Sequence, residues 1–223
     1  MIKKQLGVTL IELMVSMMLG LGLVAGIGQL FVQSQKSFAL QRNLSDMMDD
    51  GVFVLEDLAK GLLLAGYSVD GTVVPNYIGS NSTDNELYYS FKLGDLSQLN
   101  NSICLTGSPA IGSTITVHIY SATQVLSCKS GSAAQPLISE VEKLEFRYGV
   151  KTAAGLFYYG KAADVSDWTK VFAVKVFLVL RSADDNLTRK KAKYKIEDTE
   201  YTATDNRLYK VFSKTIFLRA PTQ

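Results

Sequence analysis

From Leu13 to Gln35 the chain runs for 23 residues without a charge, on Leu, Val, Met, Ile and Gly. A helix of that length spans about 35 Å, enough to cross a hydrocarbon layer with some tilt. Past Gln35 the texture turns amphipathic. Leu40, Leu44, Met48, Val52, Leu55, Leu58 and Leu62 recur three or four residues apart, with Arg42, Asp46, Asp49, Asp50, Glu56, Asp57 and Lys60 between them. This spacing predicts one apolar stripe along a helical face. No Pro interrupts Thr9 to Ala65, and Ala65-Gly66 reads as a helix stop with Gly in the left-handed position. One helix is therefore predicted over residues 9–65, on the order of 85 Å long. Its second half is expected to carry a sheet and its first half to enter a membrane or a filament. Gly22 and Gly26 stand at a spacing that lets membrane helices approach closely, and with Gly20 and Gly28 they also soften the helix; both readings stay open.

After Tyr67 short strands alternate with turn residues. The candidates are Glu86–Phe91, Thr114–Tyr120, Gln124–Ser127, Val141–Val150, Leu156–Tyr159, Val171–Arg181, Tyr194–Ile196 and Leu208–Leu218. Thr114 to Tyr120 puts Ile115, Val117 and Ile119 on one face and His118 on the polar one. Val171 to Leu180 is nearly continuous in apolar residues, with Lys175 its only charge, as a central strand with one face on the helix and the other partly covered would be. The fold class expected is α+β: one long N-terminal helix packed on a C-terminal antiparallel β-sheet head.

Composition narrows the functional classes. Hydrophobic residues at 47%, charged at 20%, 17 Gly and 4 Pro exclude a disordered or collagen-like chain. The mean hydropathy of +0.12 is slightly high for a soluble domain, and the excess sits in the N-terminal helix. A net charge of +2 carries no nucleic-acid signature. One His removes most His-dependent metal or triad chemistry, and no nucleophile–base pair, phosphate loop or metal cluster stands out. No catalytic residue, metal or cofactor is expected.

Lys3 and Lys4 precede the apolar run and predict a cytoplasmic N-terminus, with the remainder exported. A secretory signal would show a core of 7–15 residues and a small-residue cleavage site, and neither is present. In the exported region Cys104 and Cys128 favour a disulfide over two free thiols or a metal pair, which lack supporting ligands. Such a bridge contributes about 3–3.5 kcal/mol on the chain-entropy model. Arg189, Lys190, Lys191, Lys193 and Lys195 form the one basic run, read as a solvated loop or as a contact for an acidic partner or DNA. Only Tyr194 and Tyr201 stand near it for base stacking. Glu12 sits almost at the start of the apolar run, where an ionised carboxylate costs about 2.5–3.5 kcal/mol if deep. It needs a partner, and none exists nearby in the chain, unless it stays at the interface as a helix N-terminal acid.

The string Gly7-Val8-Thr9-Leu10-Ile11-Glu12, between a short basic leader and the long apolar helix, resembles the type IV prepilin signature. The resemblance implies cleavage between Gly7 and Val8 by a prepilin peptidase and methylation of the new amino terminus at Val8. It also implies that Glu12 meets the α-amino group of a neighbouring subunit and so sets assembly register. Val8 stands where most of that family carry Phe or Met. Gly51-Val52-Phe53-Val54-Leu55-Glu56-Asp57-Leu58 with Leu64-Ala65-Gly66-Tyr67 is similar to the stem of the PilW family of minor pilins, although Gly51-Val52 replaces the usual Asn-Gly-Arg. Val141 to Gly149, Val174 to Ser182 and Asp205 to Arg219 resemble three strands of that family, whereas residues 70–135 match nothing nameable.

The division this implies is a leader at 1–7, a transmembrane and assembly helix at 8–35, its amphipathic continuation at 36–66 and a periplasmic β-rich head at 67–223. The implied function is that of a minor pilin priming type IV pilus assembly in a tip or initiation complex, in support of twitching motility, adhesion or DNA uptake. Its implied partners are other minor pilins, the major pilin, the prepilin peptidase, the inner-membrane assembly machinery and the membrane itself, with DNA a weaker candidate. The implied location is the inner membrane, single-pass with the head periplasmic, and then the pilus. A minor pseudopilin of type II secretion shares the N-terminal features, and a membrane-anchored periplasmic enzyme or binding protein is the alternative from another class.

Overall fold

The computed structural model describes residues 9–68, 74, 77–92, 104, 112–131, 133–152 and 155–218. The leader, with Gly7 and Val8, lies outside the described residues. The chain forms two compact units, Met1–Arg42 and Asn43–Gln223, and helix α1 (Leu10–Leu63) contributes to both. In the first unit every described side chain from Thr9 to Phe38 is exposed, and the helix is long and apolar enough to cross a membrane.

The second unit contains the rest of α1, called the stem below, and, among the described residues, ten strands. Four of them, β1 (Glu86–Lys92), β2 (Thr114–Ala122), β3 (Val125–Ser130) and β4 (Ala134–Ile138), form one sheet in the order β1-β2-β3-β4. A second sheet, in the order β10-β7-β5-β6, joins β5 (Val141–Lys151), β6 (Phe157–Gly160), β7 (Val171–Arg181) and β10 (Tyr209–Phe217). A separate hairpin pairs β8 (Lys193–Ile196) with β9 (Thr199–Thr202). All these pairings are antiparallel. Gly66 ends the helical segment at φ +79°, and its N–H donates to the Ser90 carbonyl at 2.9 Å, which stitches the helix end to β1.

One core joins the stem to both sheets. Val54, Leu58 and Leu62 from the helix meet Leu87, Tyr89 and Phe91 of β1, Val117 and Ile119 of β2, Phe146 and Tyr148 of β5, and Val176 and Leu178 of β7. Each fully buried aliphatic side chain contributes about 1.5–3 kcal/mol relative to exposure. The opposite face of β7 is covered too. Phe177 and Val179 lie under Ile196 of the hairpin, so β7 is a central strand with one face in the core and the other partly covered, as its composition predicts.

The predicted stem stripe is only partly the buried face. Leu55, Leu58 and Leu62 are buried, but Leu44 (42% exposed), Met48 (40%) and Val52 (55%) face outward, as does Leu40. The head instead meets Asn43, Met47, Gly51, Val54, Leu58 and Gly61. Two glycines explain the rotation. A Cβ at Gly51 would lie 2.6 Å from Cζ of Phe212, and one at Gly61 would collide with the Tyr89 hydroxyl. The helix turns its smallest side chains toward the sheets because two rings occupy that space. Asn43 closes the upper end of this face, its Nδ2 donating to Asp184 Oδ2 at 2.8 Å while the Asp184 N–H donates to Asn43 Oδ1 at 3.2 Å.

Two strands escape prediction. Ala134–Ile138 holds Pro136, and Thr199–Thr202 has no apolar alternation; each exists because a neighbouring strand pairs with it. Gly51→Ala and Gly61→Ala are each expected to lower stability by about 1–3 kcal/mol through overpacking. Gly26→Ala, whose Cβ meets nothing within 4 Å, is expected to leave the transition unchanged. Thermal melts of the full chain in detergent check all three.

Candidate functional site

The N-terminal turn of α1 supplies Glu12 with a partner from its own chain. The Thr9 N–H and the Thr9 hydroxyl both donate to Glu12 Oε2, at 3.3 and 3.2 Å, and the Glu12 N–H reaches Thr9 Oγ1 at 3.4 Å. This is a capping box: two groups one helical turn apart satisfy each other's free positions. The expectation that no neighbour serves Glu12 is thereby corrected. The pair is fully exposed in the single chain, so the carboxylate is held in place and still open to an incoming group. Along the helix beyond it, added Cβ atoms at Gly20, Gly22, Gly26 and Gly28 would all meet open space.

In the head, Cys104 and Cys128 are joined by a disulfide with Cα atoms 5.5 Å apart, and Cys128 is a buried residue of β3. His118 stacks between Tyr88 (ring centroids 4.0 Å apart) and Tyr120 (4.6 Å). Its Nε2 lies 3.3 Å from Glu86 Oε2 without the alignment of a hydrogen bond. Burial pulls the imidazole pKa below its ordinary value, against the opposing pull of Glu86. Among the described residues no group of three or more His, Cys, Asp or Glu is arranged to hold a metal ion. With Tyr88 and Tyr120, His118 forms an aromatic ladder across β1 and β2.

The basic run divides in two. Lys193 pairs with Glu200 at 2.7 Å and Lys195 with Asp198 at 3.7 Å, both within the β8–β9 hairpin. Arg189, Lys190 and Lys191 are exposed in the loop before β8. The two nearby rings are not free for stacking on bases: Tyr194 lies against Tyr201 at 5.4 Å and against Tyr209 at 5.5 Å.

A charged cluster under the hairpin has no counterpart in the sequence reading. Arg147 of β5 donates through Nη2 to Glu145 Oε2 at 2.8 Å and through Nε to Glu197 Oε2 at 2.9 Å. Lys143 reaches Glu145 Oε1 at 2.8 Å and sits 3.8 Å from the centroid of the Tyr201 ring. Glu197 is in the hairpin turn and Tyr201 on β9, so strand β5 latches the hairpin onto the sheet. Burial pushes the Glu145 carboxyl upward, but hydrogen bonds and charge from Lys143 and Arg147 outweigh it and leave the pKa below the ordinary value. The adjoining motif residue Tyr148 is buried in the core, its hydroxyl donating to the Thr83 carbonyl at 2.6 Å. The signal in the sequence was the Arg-Tyr-Gly string itself; its partner Glu197 lies 50 residues away and could not be paired with it by inspection.

A cleft of about 360 Å³ lies beside the stem, lined by Asp46, Asp49 and Asp50 and, across from them, Glu140 and Arg181. Burial first, then repulsion from Asp46 and Asp49, raises the Asp50 carboxyl above its ordinary pKa.

Because Glu145 titrates lower in the folded head, its contribution to stability is fully present above about pH 4.5 and is lost as pH falls through the depressed value. Glu145→Gln is expected to flatten that acid limb. Arg147→Met strands a buried carboxylate and is expected to cost about 3 kcal/mol. Denaturant titrations between pH 3 and 7 read both.

Comparison with known proteins bears on the head. A solved structure described as a type IV-like pilin, from Thermus thermophilus, is similar at 16% identity and a TM-score of 0.47, covering 80% of this chain and 98% of that one. No curated protein matches the chain significantly. Residues 114–220 match the model of the family PilW, described as Type IV Pilus-assembly protein W. Over that span, which holds the strands at Val141 to Gly149 and Val174 to Ser182, the chain carries the sequence pattern of the type IV pilus-assembly protein W family.

Proposed function

We propose that the chain is a minor pilin that primes type IV pilus assembly as part of a tip or initiation complex. The observation that carries this reading is the capped carboxylate of Glu12 at the mouth of an exposed helical segment, uncharged from Leu13 to Gln35, in a chain whose head matches the pilus-assembly W family. An exposed helix of this composition is stable only in lipid or against other helices.

In this reading a prepilin peptidase cuts between Gly7 and Val8, and Val8 becomes the methylated amino terminus. The mature chain waits in the inner membrane with its head in the periplasm. There the capping box spares Glu12 the cost of an unsatisfied carboxylate. On docking, Glu12 exchanges Thr9 for the α-amino group of the neighbouring subunit. Two unit charges 4 Å apart attract by about 4 kcal/mol at an effective dielectric of 20, enough to favour one register over its neighbours. The apolar helix then buries against other pilin helices, and the head makes lateral contacts with other minor pilins and the major pilin. The match over residues 114–220 supports the pilus system over type II secretion. The twitching, adhesion or DNA uptake that such pili serve would follow from assembly.

Gly7→Val is expected to accumulate as the unprocessed chain. Glu12→Ala is expected to be processed normally yet to reduce sheared surface pili and twitching at least about tenfold, equivalent to about 1.4 kcal/mol. If both variants process, assemble and move as the wild type does, the chain is not a pilin.

A further inference from the structure

The outer face of the β10-β7-β5-β6 sheet is covered by the hairpin at one end and open at the other. At the covered end the hairpin seats Ile196, Tyr194 and Tyr201 on Phe177 and Val179. The other end is bare. There Phe157 (63% exposed) and Tyr159 of β6, Phe172 of β7 and Phe217 (62%) of β10 form one aromatic surface, with Leu156 at its edge. The rings touch one another: Phe157 meets Phe172 edge-on at 5.0 Å, and Tyr159 and Phe217 flank Phe172 at 6.3 Å. Gly149 makes the surface possible, since a Cβ there would press on Tyr159, Ala173 and Phe172 at 3.0–3.1 Å. A contiguous, self-organised aromatic patch has the composition of an interface centre.

The rim of this patch is cationic. Lys151 makes no ion pair among the described residues and holds its ammonium 5.8 Å from the centroid of the Phe157 ring. Lys175 borders the patch on the hairpin side, 3.9 Å from Glu197. The same unit presents a surface of the opposite kind. On the stem, Leu44, Met48 and Val52 are exposed at four-residue spacing, and Asn43 to Ala59 holds four carboxylates outside the core (Asp46, Asp49, Asp50 and Glu56), Asp57 being buried, with no Lys or Arg. Glu56 is satisfied by Lys214 at 2.9 Å, while Asp49 lies exposed beside the stripe. The two apolar surfaces are complementary in charge, and neither is covered in the single chain.

We propose that the aromatic patch Phe157–Tyr159–Phe172–Phe217 of one copy receives the Leu44–Met48–Val52 stem face of a second copy, with Lys151 opposite Asp49. The contact uses different surfaces on the two partners, so it repeats in one direction and does not close into a two-fold dimer. It goes beyond the assembly reading above, in which the head meets other minor pilins and the major pilin, by adding a contact between two copies of this chain, and rests on that reading for its setting.

The test uses the full chain in detergent, with p-benzoylphenylalanine in place of Phe157 in one tagged copy and a differently tagged second copy. Light is expected to join the copies, and trypsin followed by mass spectrometry to locate the bond in the Asn43–Lys60 peptide of the second copy. Lys151→Glu is expected to lower the yield about fivefold, and Asp49→Lys in the other copy to restore it. Phe217→Ser, verified as folded by circular dichroism, is expected to abolish the product. Cross-links in the head, no cross-link between copies, insensitivity to either substitution, or capture of phospholipid in place of the stem when anionic vesicles are added would each overturn the proposal. None of these readouts depends on Glu12 or on pilus formation, so their failure is distinguishable from failure of the pilin reading.

Discussion

Everything in the head depends on how closely the stem helix can approach the sheets, and two absent side chains set that distance. At Gly51 the Phe212 ring occupies the space a side chain would fill, and at Gly61 the Tyr89 hydroxyl does. Once those contacts are made, Val54, Leu58 and Leu62 are carried into the core shared by both sheets. Leu44, Met48 and Val52 are turned away from it. One packing constraint thus creates both the buried interface and the exposed stripe. Close packing makes such a constraint discrete, because an interior at crystal-like density has no intermediate rotation to offer.

The helix and the central strand were legible because each rests on an uninterrupted local signal. The absence of charge and Pro, followed by Ala65-Gly66, marks a helix found at Leu10–Leu63, and the apolar run from Val171 marks β7 to the residue. The rotation of the stem was not legible, because glycine adds nothing to a hydrophobic pattern and its packing role is visible only with Phe212 and Tyr89 in place. Strands β4 and β9 were missed for a related reason: Pro136 and the polar Thr199–Thr202 pair because neighbouring strands present edges to them. At the candidate site, Glu12 was identified by its chemical oddity in an apolar run. Its hydrogen-bonded partner Thr9 lies three residues before it, the spacing of a capping box.

Charge in the head is spent on holding elements together. Lys193 and Lys195 face acids of their own hairpin, and Arg147 bridges two glutamates 52 residues apart in sequence, at 145 and 197. A buried network of this kind contributes less through attraction than through the cost of breaking it, because each group left alone would be a desolvated charge. It therefore specifies one seat for the hairpin on the sheet. Arg189, Lys190 and Lys191 are exposed in the loop before β8, and Lys151 is exposed beside the Phe157 ring.

The stem is attached along its length and not at one end. Asn43 is bonded to Asp184, Glu56 to Lys214, and Gly51 and Gly61 are locked against rings, so the attachments are spread over five helical turns. A tensile load entering through the helix axis meets these contacts side by side, in shear. A displacement of the helix along its axis strains these contacts together. The opposite holds for the β8–β9 hairpin, whose paired strands could be peeled one rung at a time. Resistance to force is thus unevenly built into the head: high along the axis of the stem, and low at the flap on its side.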